Sequence, residues 1–391
     1  MENNTVVMKF GGSSLADNEK IMAVADLVTA RRAKGERLVV VVSANGKTTD
    51  HLLAQARAIS KNAHKRELDM LLTAGERVSM ALLAMAIKDR GFDSISFTGS
   101  QCGIITTDNH ANARIIEVRP FRVEDELQSG KIVIVAGFQG VSYKREITTL
   151  GRGGSDTTAV ALAAALNARA CEIYSDVDGV YSADPRIVDP FRLEELSYEE
   201  MMELAYRGAK VLNAHAVKYA QEKGVALYAR ATAGGGESVI RRDRPSGHDT
   251  MLSVTQNLGC CLAKFSSPLD NALEGLRIAE IPVLYCSESS DASLVVVKPH
   301  MEQDLEQISH LGLEFSPVVT ISMVGRCLDM TVPWIARARQ VLRSTGVTEL
   351  VTEAGPSHLT FYVGGVDASS AVKALHGALV GSGKTPGDAA T

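Results

Sequence analysis

Three glycine-rich segments carry residue types suited to holding phosphate and carboxylate groups. The first is Lys9-Phe10-Gly11-Gly12-Ser13-Ser14, directly after a β-rich run. Paired glycines let backbone amides approach an anion with no Cβ in the way, and a lysine at the strand end adds a point charge. A tight strand-to-helix turn with an exposed lysine would use the same residues, and the segment alone weighs both readings equally. The second, Ser43 to Asp50, contains Gly46-Lys47-Thr48, but a phosphate-binding P-loop needs glycine where Val41 stands. Lys47 therefore reads as a solvated loop lysine. The third, Thr148 to Asp156, has Arg152 set among Gly151, Gly153 and Gly154. Ser155 and Asp156 sit where helix caps belong. An arginine in such a loop has little packing role, and a guanidinium beside a helix N-terminus suits bidentate capture of a carboxylate. Asp156 is also placed to face a metal ion. A fourth segment, Ser175 to Arg186, spaces carboxylates by two but does not fit a calcium loop. Glu76 falls in a helical pattern, where base rates favour a solvated carboxylate.

These loops need elements to position them. Val6 to Phe10, the valine run Arg37 to Ser43, Lys131 to Ala136 and Ala170 to Tyr174 read as strands, the continuous apolar ones buried on both faces. Helices are predicted over Asn18 to Arg32, Leu68 to Lys88 and Ser155 to Asn167. The alternation implies an α/β fold with a mostly parallel sheet sandwiched by helices, and ligands at the carboxyl ends of its strands. The texture changes near Gly234 to Asp249, which reads as a linker. Beyond it, strand-like runs (Leu294 to Val297, Val318 to Met323, Leu359 to Val363) and amphipathic helices (Met301 to His310, Trp334 to Ser344) suggest two small α+β modules. Residues 383–391 read as a disordered tail.

The chain has 391 residues and a net charge of −5, so no broad basic field argues for nucleic acid or an anionic membrane. The longest apolar runs are read as too short to span a bilayer, and the polar N-terminus is unlike a signal peptide. Six scattered cysteines without a CxxC pair point to reduced thiols and a cytoplasmic setting.

Taken together the segments resemble aspartate kinases of the amino-acid kinase family. The matching stretches are Lys9–Leu15, Val41–Asp50, Leu71–Ser79, Thr148–Ala159, Glu172–Val188 and Gly208–Leu212, in the family's order. The resemblance implies ATP and Mg2+ as cofactors and L-aspartate as phosphoryl acceptor. Lys9 and Lys210 would contact the transferred group, and Asp156 would organise magnesium through water. Glu76 would take the substrate ammonium, Arg152 its α-carboxylate, and Ser155 would help hold it, with Ser43, Thr49 and Phe138 lining the pocket. Gly11, Gly12, Ser13, Ser175, Asp176, Tyr181 and Arg186 would shape the nucleotide site with both lysines. The implied layout is a catalytic domain over 1–233, a linker over 234–249, and ACT-like modules over 250–316 and 317–382, which would pair subunits into a homo-oligomer. Two alternatives stand beside it: a carboxylate kinase of altered acid specificity, and a non-catalytic subunit on the same fold.

The chain also departs from the family pattern. Asn213-Ala214 stands where His-Pro is usual after Gly208–Leu212. The Pro-Gly turns expected in the modules are replaced by Pro268-Leu269-Asp270 and Pro333-Trp334. Leucine and tryptophan there would crowd an effector and Asp270 would repel its carboxylate, so weak control by lysine or threonine is expected.

Overall fold

The computed structural model describes residues 4–60, 62–242, 251–266, 268–279, 281–289, 292–299, 302–325, 332–347, 349–364 and 368–380. The tail 383–391 and the stretch 328–331 lie outside the described residues. The chain divides into two compact units. The first comprises Met1–Val180, Arg192–Ala205 and Lys210–Pro245; the second comprises Tyr181–Phe191, Tyr206–Ala209 and Ser246–Thr391.

The first unit opens with β1 (Thr5–Phe10), α1 (Asn18–Ala33), β2 (Arg37–Val42), α2 (Thr48–Ile59) and α3 (Lys65–Lys88). The short strands β3 (Ser94–Phe97), β4 (Ile104–Thr106) and β5 (Ile115–Val118) precede α4 (Phe121–Gln128). Then come β6 (Ile132–Ala136), β7 (Gln139–Ser142), β8 (Ile147–Thr149), α5 (Gly154–Ala165) and β9 (Ala170–Ser175). The remaining elements are β10 (Val180–Tyr181), β11 (Arg192–Leu193), β12 (Glu195–Leu196), α6 (Tyr198–Tyr206), α7 (Ala214–Lys223), β13 (Leu227–Ala231) and β14 (Glu237–Ile240). Eight strands form one sheet in the order β12-β14-β13-β9-β1-β2-β6-β3, parallel except for the β13–β14 pair. The valines Val39 to Val42 are fully buried, as a strand covered on both faces requires.

Register lines up the strand ends. Phe10 pairs with Val42 and Tyr174, Val42 with Ala136, and Tyr174 with Arg230. The loops that follow must therefore emerge along one edge. The stretch read as linker carries β14, whose Ser238 and Ile240 are fully buried. The preceding glycines masked this two-residue alternation. Lys65–Lys88 is, by length and composition, apolar enough to cross a bilayer, contrary to the reading of the apolar runs as too short. Its inward face, including Leu72, Thr73, Glu76, Ser79 and Leu83, is buried in this unit.

The second unit holds one six-stranded sheet in the order β16-β17-β15-β18-β20-β19. Its strands are β15 (Met251–Phe265), β16 (Val283–Glu288), β17 (Ser293–Val297), β18 (Phe315–Gly325), β19 (Glu349–Ala354) and β20 (His358–Gly364), and every pairing is antiparallel. Helices α8 (Leu269–Ile278), α9 (Val332–Ser344) and α10 (Ala368–Leu375) supply apolar faces. Trp334, expected to project into an effector turn, is instead buried in the core with Ile321, Phe361 and Leu375. Arg207 belongs to this unit and pairs with Glu353 at 3.0 and 3.1 Å. Burial alone would raise the Glu353 carboxyl, but hydrogen bonds from His358, Arg207 and Tyr362 hold it down at about 2.

Candidate functional site

The first glycine loop turns directly off β1. Gly11 N–H donates to Tyr174 O, and Gly46 N–H donates to Gly12 O at 3.0 Å. A Cβ on Gly12 would lie 2.8 Å from Ala44 O, so only glycine lets the two loops approach this closely. Lys9, one residue before the strand end, reaches Asp156 on α5, with Nζ 2.6 Å from Oδ1. That ion pair ties β1 to the start of α5.

Helix α5 begins differently from the expectation. Its cap is Gly153 in the left-handed conformation at φ +71°, with no side-chain cap; Ser155 and Asp156 lie inside the first turn. Gly137, at the end of β6, packs against Ser155, where a Cβ would meet Oγ at 2.7 Å. Phe138 follows at φ +70°, a conformation that costs a bulky residue free energy and is held by two hydrogen bonds. Its N–H donates to Thr158 Oγ1 at 3.1 Å, and its carbonyl accepts from Leu150 N–H at 2.9 Å. Arg152 is exposed at the rim.

Glu76 is not the solvated carboxylate of the base-rate reading. It is 3% exposed. Oε1 accepts from Ala44 N–H at 3.2 Å, whereas Oε2 is buried and has no hydrogen-bond partner. Burial raises its carboxyl to about 7, only partly offset by backbone hydrogen bonds. A buried carboxylate oxygen left unbonded is costly, and an ammonium from outside would satisfy it. Gly75 permits the approach, since a Cβ there would lie 2.7 Å from Ala44 Cβ.

Ser43 and Thr49 are half-buried in the loop after β2 and at the start of α2, and Lys47 is exposed. Ser13 is exposed in the turn after Gly12. Ser175 stands at the end of β9, where its hydroxyl engages Val177 and its carbonyl accepts from Thr232 N–H; Asp176 is exposed. Lys210 is exposed just ahead of α7. Tyr181 and Arg186 belong to the second unit, where Arg186 pairs with Asp184 at 2.6 Å. The structure thus gathers Lys9, the glycine loops, Glu76, Phe138, Ser155 and Asp156 through direct contacts within the first unit.

Two residues gain roles that their sequence positions do not announce. Asp69, fully buried on α3, accepts from Thr149 Oγ1 at 2.6 Å and Ala111 N–H at 3.0 Å, and meets His110 Nδ1 at 2.7 Å. It anchors the approach to the Arg152 loop. Its spacing of seven from Glu76 puts both on one helix face, the signal that could have found it. Asn213 caps α7 and also contacts the Arg152 loop. Beside the site, a cleft of about 660 Å³ is lined by Arg31, Tyr174, Arg192, Arg230, Thr232 and Gly234–Gly236. Its arginines are paired with Glu36, Glu172, Asp178 and Glu237.

Residues 4–228 match the profile of the amino acid kinase family. The chain is 58% identical over 229 residues to an aspartokinase of Corynebacterium glutamicum, covering 58% of this chain and 54% of that one. That match spans about half the relative's own length. An aspartokinase of Bacillus sp. strain MGA3 is 38% identical over 402 aligned positions, covering 97% of this chain and 98% of the other. In fold, the chain is similar to E. coli aspartokinase III, solved in complex with aspartate and ADP. The TM-score is 0.81 at 24% identity, over 96% of this chain and 99% of that one. The chain belongs to the amino acid kinase family, among the aspartokinases.

Proposed function

We propose that the protein is an aspartate kinase, transferring the γ-phosphoryl group of ATP to the side-chain carboxylate of L-aspartate to give 4-phospho-L-aspartate. The observation that carries this reading is the buried Glu76 Oε2 with no partner, beside the loop that follows β2. It calls for a cation, and the substrate ammonium is one. Arg152 supplies the matching guanidinium for the α-carboxylate from its glycine loop. The β-carboxylate is ionised at neutral pH, so the reaction needs alignment and charge neutralisation, not a general base. Ser155, Ser43, Thr49 and Phe138 shape the acceptor pocket. Lys9 and Lys210 offset charge that develops on the transferred group. Gly11, Gly12, Ser13, Ser175 and Asp176 form the nucleotide side within the first unit.

Asp156 fits a magnesium role. Among the described residues no cluster of three metal-ligating side chains exists, and magnesium takes one or two carboxylates together with phosphates and water. Bound there, it would neutralise phosphate charge while Asp156 and Lys9 keep β1 and α5 in register. The same reading places the protein in the cytoplasm and pairs subunits through the C-terminal sheet. ADP release in a coupled assay, with ATP, magnesium and a panel of acidic amino acids, tests the substrate. Aspartate should be the best acceptor; a clear preference for another acid overturns the assignment.

A further inference from the structure

Arg152 is flanked by glycines at φ +73° and +71°, and its side chain has no partner among the described residues. Something else must set where its guanidinium starts from. Gly154 N–H donates to Gly151 O at 3.1 Å, which closes the turn but leaves Arg152 itself untethered. The tether comes from Asn213. Its Nδ2 donates to Arg152 O at 3.3 Å, and it covers Gly153 so closely that a Cβ there would lie 2.1 Å from Asn213 Cγ. Its Oδ1 meanwhile caps α7, accepting from His215 N–H at 3.0 Å and Ala216 N–H at 3.3 Å. One carboxamide thus faces two ways, donor toward the Arg152 loop and acceptor toward the helix that follows Lys210. Aspartate or serine could cap, but neither offers an amide donor. The position is also one where the chain departs from the family pattern.

Resting on the aspartate kinase reading, we infer that Asn213 is a positioning residue for the acceptor. By holding the Arg152 carbonyl and roofing Gly153, it fixes the loop from which Arg152 grips the α-carboxylate.

The test compares full-length wild type with Asn213→Asp and Asn213→Ala. Asn213→Asp keeps the cap and loses the donor. Its KM for aspartate should rise about 3- to 10-fold, the range of one lost hydrogen bond. The KM for ATP, kcat and melting temperature should stay close to wild type. Hydrogen exchange without ligands should speed up in the peptide covering residues 148–156, but not in α7. Asn213→Ala should show the same kinetic change and, in addition, melt earlier. Wild-type KM and wild-type exchange in Asn213→Asp would reduce Asn213 to a helix cap and overturn the inference. If the wild type does not turn over aspartate, the functional reading fails, and the exchange comparison still decides whether Asn213 holds the loop.

Discussion

The two units bury their sheets in opposite ways. In the first, mostly parallel strands are covered on both faces, and the crossovers bring the loops that follow β1, β2, β6 and β9 to one edge. In the second, antiparallel strands hold an apolar face under helices, while the outer strand β16 remains half exposed. An edge with the proposed phosphoryl-transfer role needs particular groups at particular distances, such as Lys9 at 2.6 Å from Asp156. A sheet face needs only apolar residues of suitable volume, which many sequences supply. The first unit should therefore be intolerant of single changes at its edge, and the second tolerant in its turns.

Lys9→Met offers the sharpest break. If Lys9 acts on charge developing in the transition state, kcat should fall by about 10²–10³ with KM for aspartate little changed. Equal losses through KM alone would move Lys9 to ground-state binding. Arg152→Ala comes next. Losing a charge-assisted bond present in ground and transition states should raise KM for aspartate by about 1.5–3 kcal/mol, with kcat largely kept. Unchanged affinity would remove Arg152 from the acceptor site.

The pH profile of kcat/KM for aspartate reads Glu76. Its folded carboxyl is raised by burial to about 7, and only the ionised form pairs with an ammonium. Efficiency should therefore fall about tenfold per pH unit below 7, and that limb should vanish in Glu76→Gln, with low residual activity. The stability sign is opposite. A carboxyl raised from 4.5 to about 7 binds more protons folded than unfolded, so it costs stability as pH rises through that window. Glu76→Gln should melt higher than wild type at pH 8, with little difference at pH 4.5. A pH-independent kcat/KM between 5.5 and 8 would contradict the pairing.

The smallest expected effect lies in the second unit. At the start of α8, Leu269 N–H already donates to Glu288 Oε1 at 3.2 Å, and Asp270 is exposed beside it. An effector carboxylate would have to displace one carboxylate and face another. Initial rates at sub-saturating aspartate should change less than about twofold with millimolar lysine, threonine or both. Strong saturable inhibition by either would show that the tolerant unit keeps a working effector site.

The strands β1, β2, β6 and β9 of the first unit were legible because strands buried on both faces read as continuous apolar runs, as Arg37–Val42 does; shorter strands such as β3 and β13 were not named. The glycine loops were legible because Gly12 and Gly153 leave no room for a Cβ. Glu76 was not legible from its own surroundings: a carboxylate in a helix reads as solvated until the packing of α3 against Ala44 is known. Asp69 and Asn213 were hidden for the same reason, since their partners lie 80 and 61 residues away in sequence. In the second unit β15 escaped notice because polar residues interrupt its 15-residue length, although its pairing with β18 is long. Trp334 was misplaced because a turn position says nothing of the direction in which its side chain packs.

The central claim is that the acceptor is the side-chain carboxylate of aspartate. Hydroxylamine added to a reaction of protein, ATP, magnesium and L-aspartate traps an acyl phosphate as a hydroxamate, which mass fragmentation assigns to one carboxyl group or the other. The account predicts β-aspartyl hydroxamate, formed in step with ADP. An α-hydroxamate, or none from aspartate alongside a clear one from a different acid, would contradict it.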